Sequence, residues 1–198
     1  MHSIVPEEAG VDEAGCGSLV GPLVAAAVVL PHDFDASGLN DSKKLSKTKR
    51  VALFQRVAAQ AAVGIGVVSL DEINAQPFGW ARRAVFARAL SNLPSRPATI
   101  VVDGTHFFDG FDGISYACIA KADEQYASVA AASIVAKCTR DDMVDAVCDQ
   151  HPELSERYGW RKNMGYPTKQ HKQALDEHGC TFFHRATFAP CRSNVRLT

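Results

Sequence analysis

The sequence predicts an α/β domain, one β-sheet with helices packed on it, and three observations carry that prediction. Short apolar runs of strand length, rich in valine and alanine, recur from Gly10 to Ala120. Longer stretches of helical character lie between and after them, one amphipathic from Lys47 to Ala62 and one alanine-rich from Ser128 to Gln150. The order is a run of strands followed by strands and helices mixed, which is the signature of one layered sheet. At 198 residues the chain is about one domain, long enough to bury a core without disulfide or metal staples.

Each element has its own warrant. Gly10 to Glu13 begins a short strand that runs into the loop Gly15-Cys16-Gly17-Ser18. Pro22 to Leu30 is apolar throughout and closed by Pro31, so it reads as a buried strand. His32 to Lys44 carries Asp, Ser, Gly and Asn and reads as loop. Ser46 caps the helix over Lys47 to Ala62, whose apolar side holds Val51, Leu53, Phe54, Val57 and Ala58. Gly64 to Ser69 is a third strand, and Asp71 to Leu93 a helical stretch interrupted at Pro77. Thr99 to Val102 and Ile114 to Ala120 are the fourth and fifth strands. Ser128 to Gln150 is a long helix stopped by Pro152, residues 155–168 a basic, aromatic loop, and Pro167-Thr168 opens a last helix ending at His178 with Gly179 as its cap.

Composition narrows the function. Twenty-one basic and 22 acidic residues give a net charge of −1, which excludes a cationic coat over the whole surface but leaves room for a local basic face. No apolar run approaches the ~18 residues of a membrane helix, and MHSIVPEEAG has no secretory-signal pattern. The six cysteines are scattered without a CxxC pair and read as small core residues of a reducing cytoplasm. His178, Cys180, His184 and Cys191 fit no common zinc spacing. Gly15-x-Gly17-x-x-x-Gly21 is similar to a dinucleotide fingerprint, but that motif needs a helix at the loop, where Leu23 to Leu30 reads as strand.

Four carboxylates stand out. Asp12 and Glu13 precede the glycine loop, Asp103 ends the run Thr99 to Val102, and Asp123 follows strand five. Strand ends in an α/β sheet meet at one edge, and clustered carboxylates repel unless a cation neutralises them. Oxygen-only ligands select a hard metal, Mg²⁺ or Mn²⁺. Taken singly, Asp12 and Asp103 each read more readily as turn residues close to a glycine. Neighbouring side chains on a strand point to opposite faces, so Asp12 and Glu13 can share a site only where the strand bulges or ends. Lys43, Lys44, Lys47, Lys49 and Arg50 form one basic cluster, and Arg157, Arg161, Lys162, Lys169 and Lys172 a second with Trp160 and Tyr166 among them. Arg185, Arg192 and Arg196 follow the last acidic residue, Glu177. Cations are unfavourable at a helix start, so Lys43 and Lys44 point to phosphate contacts, and interleaved aromatics offer stacking surface. Ser133, Lys137 and Asp141 form one polar stripe on the alanine-rich helix, read either as a surface ion pair or as the border of the metal site.

These segments resemble ribonuclease HII. GVDEAGCG at 10–17, LNDSKKLS at 39–46, VVDG at 101–104, KADE at 121–124, ASIVAKCTRD at 132–141, MGYPT at 164–168 and EHGCTFFHRATFAP at 177–190 occur in that family's order. The resemblance implies a ribonuclease H-like fold, a mixed β-sheet flanked by helices with a helical C-terminal part, here a core at about 8–150 and a substrate-binding part at about 151–198 of one domain. It implies an endonuclease that uses Mg²⁺ or Mn²⁺ to cut the RNA strand of RNA–DNA hybrids and to cut at ribonucleotides embedded in duplex DNA, leaving 5′-phosphate and 3′-hydroxyl ends. It matches Asp12, Glu13, Asp103 and Asp123 to metal-binding catalytic carboxylates, and Gly15, Cys16 and Gly17 to a loop that senses the 2′-hydroxyl. Tyr166 matches a ring that packs on the junction sugar, and Lys43 and Lys44 match lysines near phosphates. Ser133, Lys137 and Arg185 complete the expected substrate-binding set, and a cytoplasmic monomer is expected.

The chain also departs from the family. Cys16 stands where arginine is usual, Met164 where lysine commonly precedes the GYPT segment, and one arginine follows His184 where two are usual. The segment after Ile73 reads Asn74-Ala75-Gln76-Pro77 in place of Asp-x-x-Asn. Three of these changes remove positive charge and bear on affinity more than on chemistry, and they motivate the alternative of a protein that binds hybrids without cutting.

Overall fold

The computed structural model describes residues 4–105 and 110–193. Arg196 of the expected basic tail lies outside them. Within them the sheet has the order β3-β2-β1-β4-β5, with β1 (Glu8–Ala14) at its centre. β2 (Leu23–Val29) pairs antiparallel with β1, and β3 (Ala62–Val68) antiparallel with β2. β4 (Thr99–Asp103) runs parallel to β1, and β5 (Ser115–Ile119) parallel to β4. The sheet is therefore mixed, as the resemblance implies.

Helices cover both faces. α1 (Lys47–Gln60) and α4 (Ala127–Gln150) bury one face with Ala26, Val28, Leu53, Val57, Ala130 and Ile134. α3 (Phe78–Ser91), preceded by α2 (Leu70–Ala75), buries the other with Val11, Ala25, Val85, Phe86 and Ala89. The alanine-rich start of α4 has a packing reason. A Cβ on Gly10 would sit 2.2 Å from the Ser128 backbone, so small residues on both elements let the helix lie against the central strand. Pro77 divides α2 from α3 as expected, and Ser69 closes a capping box with Glu72.

The C-terminal part differs from the sequence expectation. Residues 155–168 are not a loop. They contain most of α5 (Pro152–Tyr158) and all of α6 (Trp160–Asn163), divided by Gly159 in the left-handed conformation. Proline at the first helical position is compatible with a helix start, so Pro152 both stops α4 and opens α5. Trp160 and Tyr158 are fully buried and stack on each other at 5.3 Å, so Trp160 offers no surface to a base. With α7 (Lys169–His178) they enclose a small core that includes Leu19 and Val20 of the glycine loop and Val144 of α4.

Candidate active site

The site is built where β1 outruns β4. The β1–β4 ladder ends at Val11 and Val102, whereas pairing with β2 continues to Ala14. Asp12 and Asp103 thus end the shared part of two neighbouring parallel strands. The expectation that β1 must bulge or end is not met: Asp12 and Glu13 pair regularly with Ala26 and Ala25. Asp12 faces the α4 side, towards Ser133, and Glu13 the α3 side, where Arg82 Nη2 stands 3.4 Å from its Oε1. Both still reach one cleft of about 330 Å³, because the space wraps around the exposed end of the sheet.

Asp103 lines the same cleft, and its Oδ1 accepts the Ala122 N–H at 2.8 Å. Asp123 arrives differently from the expectation. It follows Lys121, which turns the chain with a φ of 56°, and sits in a 3-10 turn, Ala122–Glu124, rather than at the end of β5. It is buried beside Asp103 and is not one of the cleft-lining residues. The electrostatics agree with this crowding. Burial, then the charges of Glu13 and Asp103, push the Asp12 carboxyl well above its ordinary range. Burial, then Asp103 and Asp41, push Asp123 up as well. Burial works against the Lys43 ammonium, but Asp12, Asp41, Asp123 and Asp103 outweigh it and hold its pKa above normal. As the side chains stand, no three His, Cys, Asp or Glu groups among the described residues are close enough to hold a metal ion.

The glycine loop forms the cleft's second wall. Gly15, Cys16 and Gly17 line it, with Lys43, Lys137, Ser133 and Tyr166 around them. The Cys16 thiol turns inward and donates to Glu13 Oε1 at 3.0 Å. Burial, then the Glu13 charge, push this thiol far above its ordinary pKa, so it is a neutral donor. The Tyr166 ring abuts Gly17, where an added Cβ would lie 3.9 Å from its Cε1. Lys137 and Arg140 lie over the ring at 5.4 and 5.3 Å.

Several expected contacts resolve otherwise. Arg185 is fully buried. It donates to the carbonyls of Gly15 (2.8 Å), Cys16 (3.4 Å), Gly21 (3.0 Å) and Pro22 (2.8 Å). It therefore holds the loop and does not itself face a substrate. Lys44 is exposed and pairs with Glu124 at 2.7 Å instead of lining the cleft. Lys47 pairs with Asp145 and Arg161 with Asp149, so part of both basic clusters already faces carboxylates. Lys137 and Asp141 are not a surface pair: both are largely buried, 2.8 Å apart, with Arg50 and Arg140 also near Asp141. Ser133 is buried and donates to Ser42 Oγ at 2.9 Å.

Three features escaped the sequence reading. Arg82 lies in phase with Phe78, Val85, Phe86 and Ala89 of α3, and Arg140 lies four residues from both Ala136 and Val144 of α4. A charge inside an apolar stripe was the available signal. The third is a buried histidine pair beneath Tyr166. Thr181 N–H donates to His184 Nδ1 at 2.9 Å, which leaves the proton of neutral His184 on Nε2. That proton faces His171 Nε2 at 3.1 Å, and Trp160 Nε1 donates to the same atom at 3.3 Å. His171 Nδ1 then donates to the Tyr166 carbonyl at 3.0 Å. Burial, then the proximity of His171, lower His184 to about 3, and burial lowers His171, so both rings are neutral.

This arrangement can be set beside known proteins. A family model described as Ribonuclease HII matches residues 9–191. The ribonuclease HII of Bacteroides thetaiotaomicron is 43% identical over 182 residues, 91% of this chain and 88% of that protein. The ribonuclease HII of Bacillus cereus is 42% identical over 192 residues, 95% of this chain and 71% of that one. The crystal structure of the ribonuclease H2 from Pyrococcus horikoshii superposes with a TM-score of 0.74 at 26% identity, covering 94% of this chain and 95% of its own. A mixed sheet with helices on both faces, a helical C-terminal part and a match over nearly the whole length lead to one conclusion: the chain belongs to the ribonuclease HII family and is a ribonuclease H, a hydrolase acting on RNA.

Proposed function

We propose that this chain is a metal-dependent endonuclease that hydrolyses the RNA strand of RNA–DNA hybrids and also cuts at single ribonucleotides embedded in duplex DNA, leaving 5′-phosphate and 3′-hydroxyl ends. The observation that carries the reading is the meeting, around one cleft, of crowded carboxylates with a glycine loop and an aromatic ring. The donor chemistry fits a hard divalent cation. Every candidate ligand is a carboxylate, and the raised pKa of Asp12 and of Asp123 reflects burial first and then repulsion from neighbouring carboxylates, both of which a bound cation would offset. Asp12, Glu13, Asp103 and Asp123 would hold the ions, Mg²⁺ or Mn²⁺. Bound there, they supply an activated water and charge for the leaving 3′-oxygen.

The chain's own groups do the rest. Lys43 keeps positive charge beside the carboxylates, where a phosphodiester must approach, and Lys137, paired with Asp141, lines the same cleft. The peptide groups of Gly15 to Gly17 lie at the cleft with little side-chain bulk, so a ribose 2′-hydroxyl can reach the main chain. Tyr166 offers its ring to the neighbouring sugar. None of the described residues that line the cleft resembles a base-edge reader, so cleavage is taken as largely indifferent to sequence. The six cysteines carry no disulfide, in keeping with a reducing cytoplasm, and the reading takes the enzyme as a monomer.

The test is cleavage of end-labelled duplexes, matched in sequence, that contain a full RNA strand, one ribonucleotide or none. Metal-dependent cutting of the first two, with 5′-phosphate and 3′-hydroxyl ends, is expected with Mg²⁺ or Mn²⁺. Binding without cutting under both metals would support a non-catalytic hybrid binder instead.

A further inference from the structure

We infer that Arg140 is a specificity-determining positioning residue: it locks the glycine loop and Tyr166 into one unit, so that the two cleft walls proposed to read the ribonucleotide keep a fixed separation. The inference rests on the proposed function for what the walls do. Its mechanical part stands on geometry alone.

Arg140 is fully buried in α4, at a position where the helix otherwise presents Ala136 and Val144 to the interior. Its Nη2 donates to Ser18 Oγ at 2.7 Å and to the Val20 carbonyl at 3.1 Å. Its Nε and Nη1 find no hydrogen-bond partner. Asp141 does not account for it. Arg140 Nη1 stands 3.6 Å from Asp141 Oδ1, which instead accepts from Lys137 at 2.8 Å. A buried guanidinium with two unpartnered nitrogens is costly, and an apolar residue would pack there more cheaply. The cost marks a task other than filling the core.

Its surroundings say which task. The guanidinium lies beneath Gly15, where an added Cβ would come within 3.0 Å of Arg140 Nε, and its Cζ is 5.3 Å from the Tyr166 ring centre. One planar group therefore touches both walls. The Ser18 hydroxyl that it grips is directed at the Val20 carbonyl (2.9 Å) and also lies 3.4 Å from the Met164 carbonyl. Leu19 N donates to the Gly165 carbonyl at 2.8 Å. The loop is thus stitched to the two residues before Tyr166, with Arg140 under the seam. Lysine keeps the charge but lacks the planar fork, and cannot hold Ser18, Val20 and the ring together.

The experiment compares wild type, Arg140→Lys, Ser18→Ala and Tyr166→Ala. Ser18→Ala removes the hydroxyl that Arg140 holds while deleting a single atom from the core. Two readouts are needed: kcat and KM on the single-ribonucleotide and hybrid duplexes, and amide exchange of residues 15–21 and 164–166 in the free protein. Arg140→Lys is expected to lower kcat/KM at a single ribonucleotide about tenfold to a hundredfold more than on the hybrid. Ser18→Ala should shift the ratio in the same direction. Both variants should lose exchange protection in the two segments together while the strands keep theirs. The inference is overturned if the segments lose protection separately or not at all, or if they loosen together and the substrate ratio stays within about twofold of wild type. If Tyr166→Ala leaves the ratio unchanged, the reading of Tyr166 fails, and the exchange data alone then decide whether Arg140 joins the walls.

Discussion

Two groups of buried charge lie on either side of the glycine loop, and they are resolved in opposite ways. On one side Asp12 is buried near Glu13 and Asp103, and Asp123 near Asp103, and both carboxyls are pushed up by burial and then by those neighbours. On the other, Arg140 and Arg185 are buried with like charges facing, and Arg185 is lowered to about 10 by burial and then by Arg140. The arginines draw on main-chain carbonyls: Arg185 donates to four, and Arg140 to Val20 and the Ser18 hydroxyl. Among the carboxylates, Asp12 accepts from the Glu13 N–H, Asp103 from the Ala122 N–H, and Glu13 from the Cys16 thiol and Arg82, with Lys43 nearby. Main-chain carbonyls satisfy Arg185 and make it a frame for the loop, whereas the carboxylates keep an unsolved repulsion that the proposed cation would relieve.

The comparison breaks first at Asp103. Asp103→Asn should lower kcat about a thousandfold or more, equivalent to about 4 kcal/mol of lost transition-state stabilisation. The amide oxygen can still accept from Ala122 N–H, and removal of like charge should leave the metal-free melting temperature equal or higher. Near-native turnover in this variant would show that the unsolved charges are not the catalytic ones. On the arginine side the sign reverses. Arg185→Lys cannot serve carbonyls of Gly15, Gly21 and Pro22 at once, and should lose about 2–4 kcal/mol in urea unfolding. A stable Arg185→Lys protein would mean that the loop holds itself.

The histidine pair sharpens the contrast, because it solves burial by giving up charge. Both rings have folded pKa values below the unfolded value near 6.5, so their stability is present above that pH and is lost as pH falls towards the folded values, about 3 for His184. Wild type should therefore lose about 1.4 kcal/mol per pH unit more than His184→Asn as pH is lowered from 6 to 5. Parallel stability curves for the two proteins would remove the pair from this account. The smallest effect is expected at Cys16. Cys16 lines the cleft, so Cys16→Arg replaces its neutral thiol with a cation there. Hybrid affinity, measured with Ca²⁺ across a salt series, should then gain about one unit of log–log slope. An unchanged slope would place the new side chain away from the phosphates.

Periodicity and composition placed all five strands and the long helices within a few residues, because apolar runs and caps are local signals. They missed α5 and α6, where Arg157, Arg161 and Lys162 advertise a solvated loop. The apolar anchors there, Tyr158 and Trp160, are buried in a core completed by distant partners such as Leu19. The carboxylates were legible because a charge at the end of an apolar run has no local reason to be there. The buried arginines were less so: a charge in the apolar stripe of α4 marks Arg140 but does not say what it holds, and nothing around Arg185 shows that it turns inward.

The sequence by itself determined that this is an α/β chain of the ribonuclease HII family with four candidate carboxylates, a glycine loop and Tyr166, since residue type and order settle all of that. Only the tertiary structure decided which charges are satisfied. Lys44 was drawn off to Glu124, Arg185 turned inward to the loop, and Arg140 was set against both the loop and Tyr166. The physical reason is that a charged side chain's role depends on its distance to partners and on burial, and both arise only when segments far apart in the chain pack together.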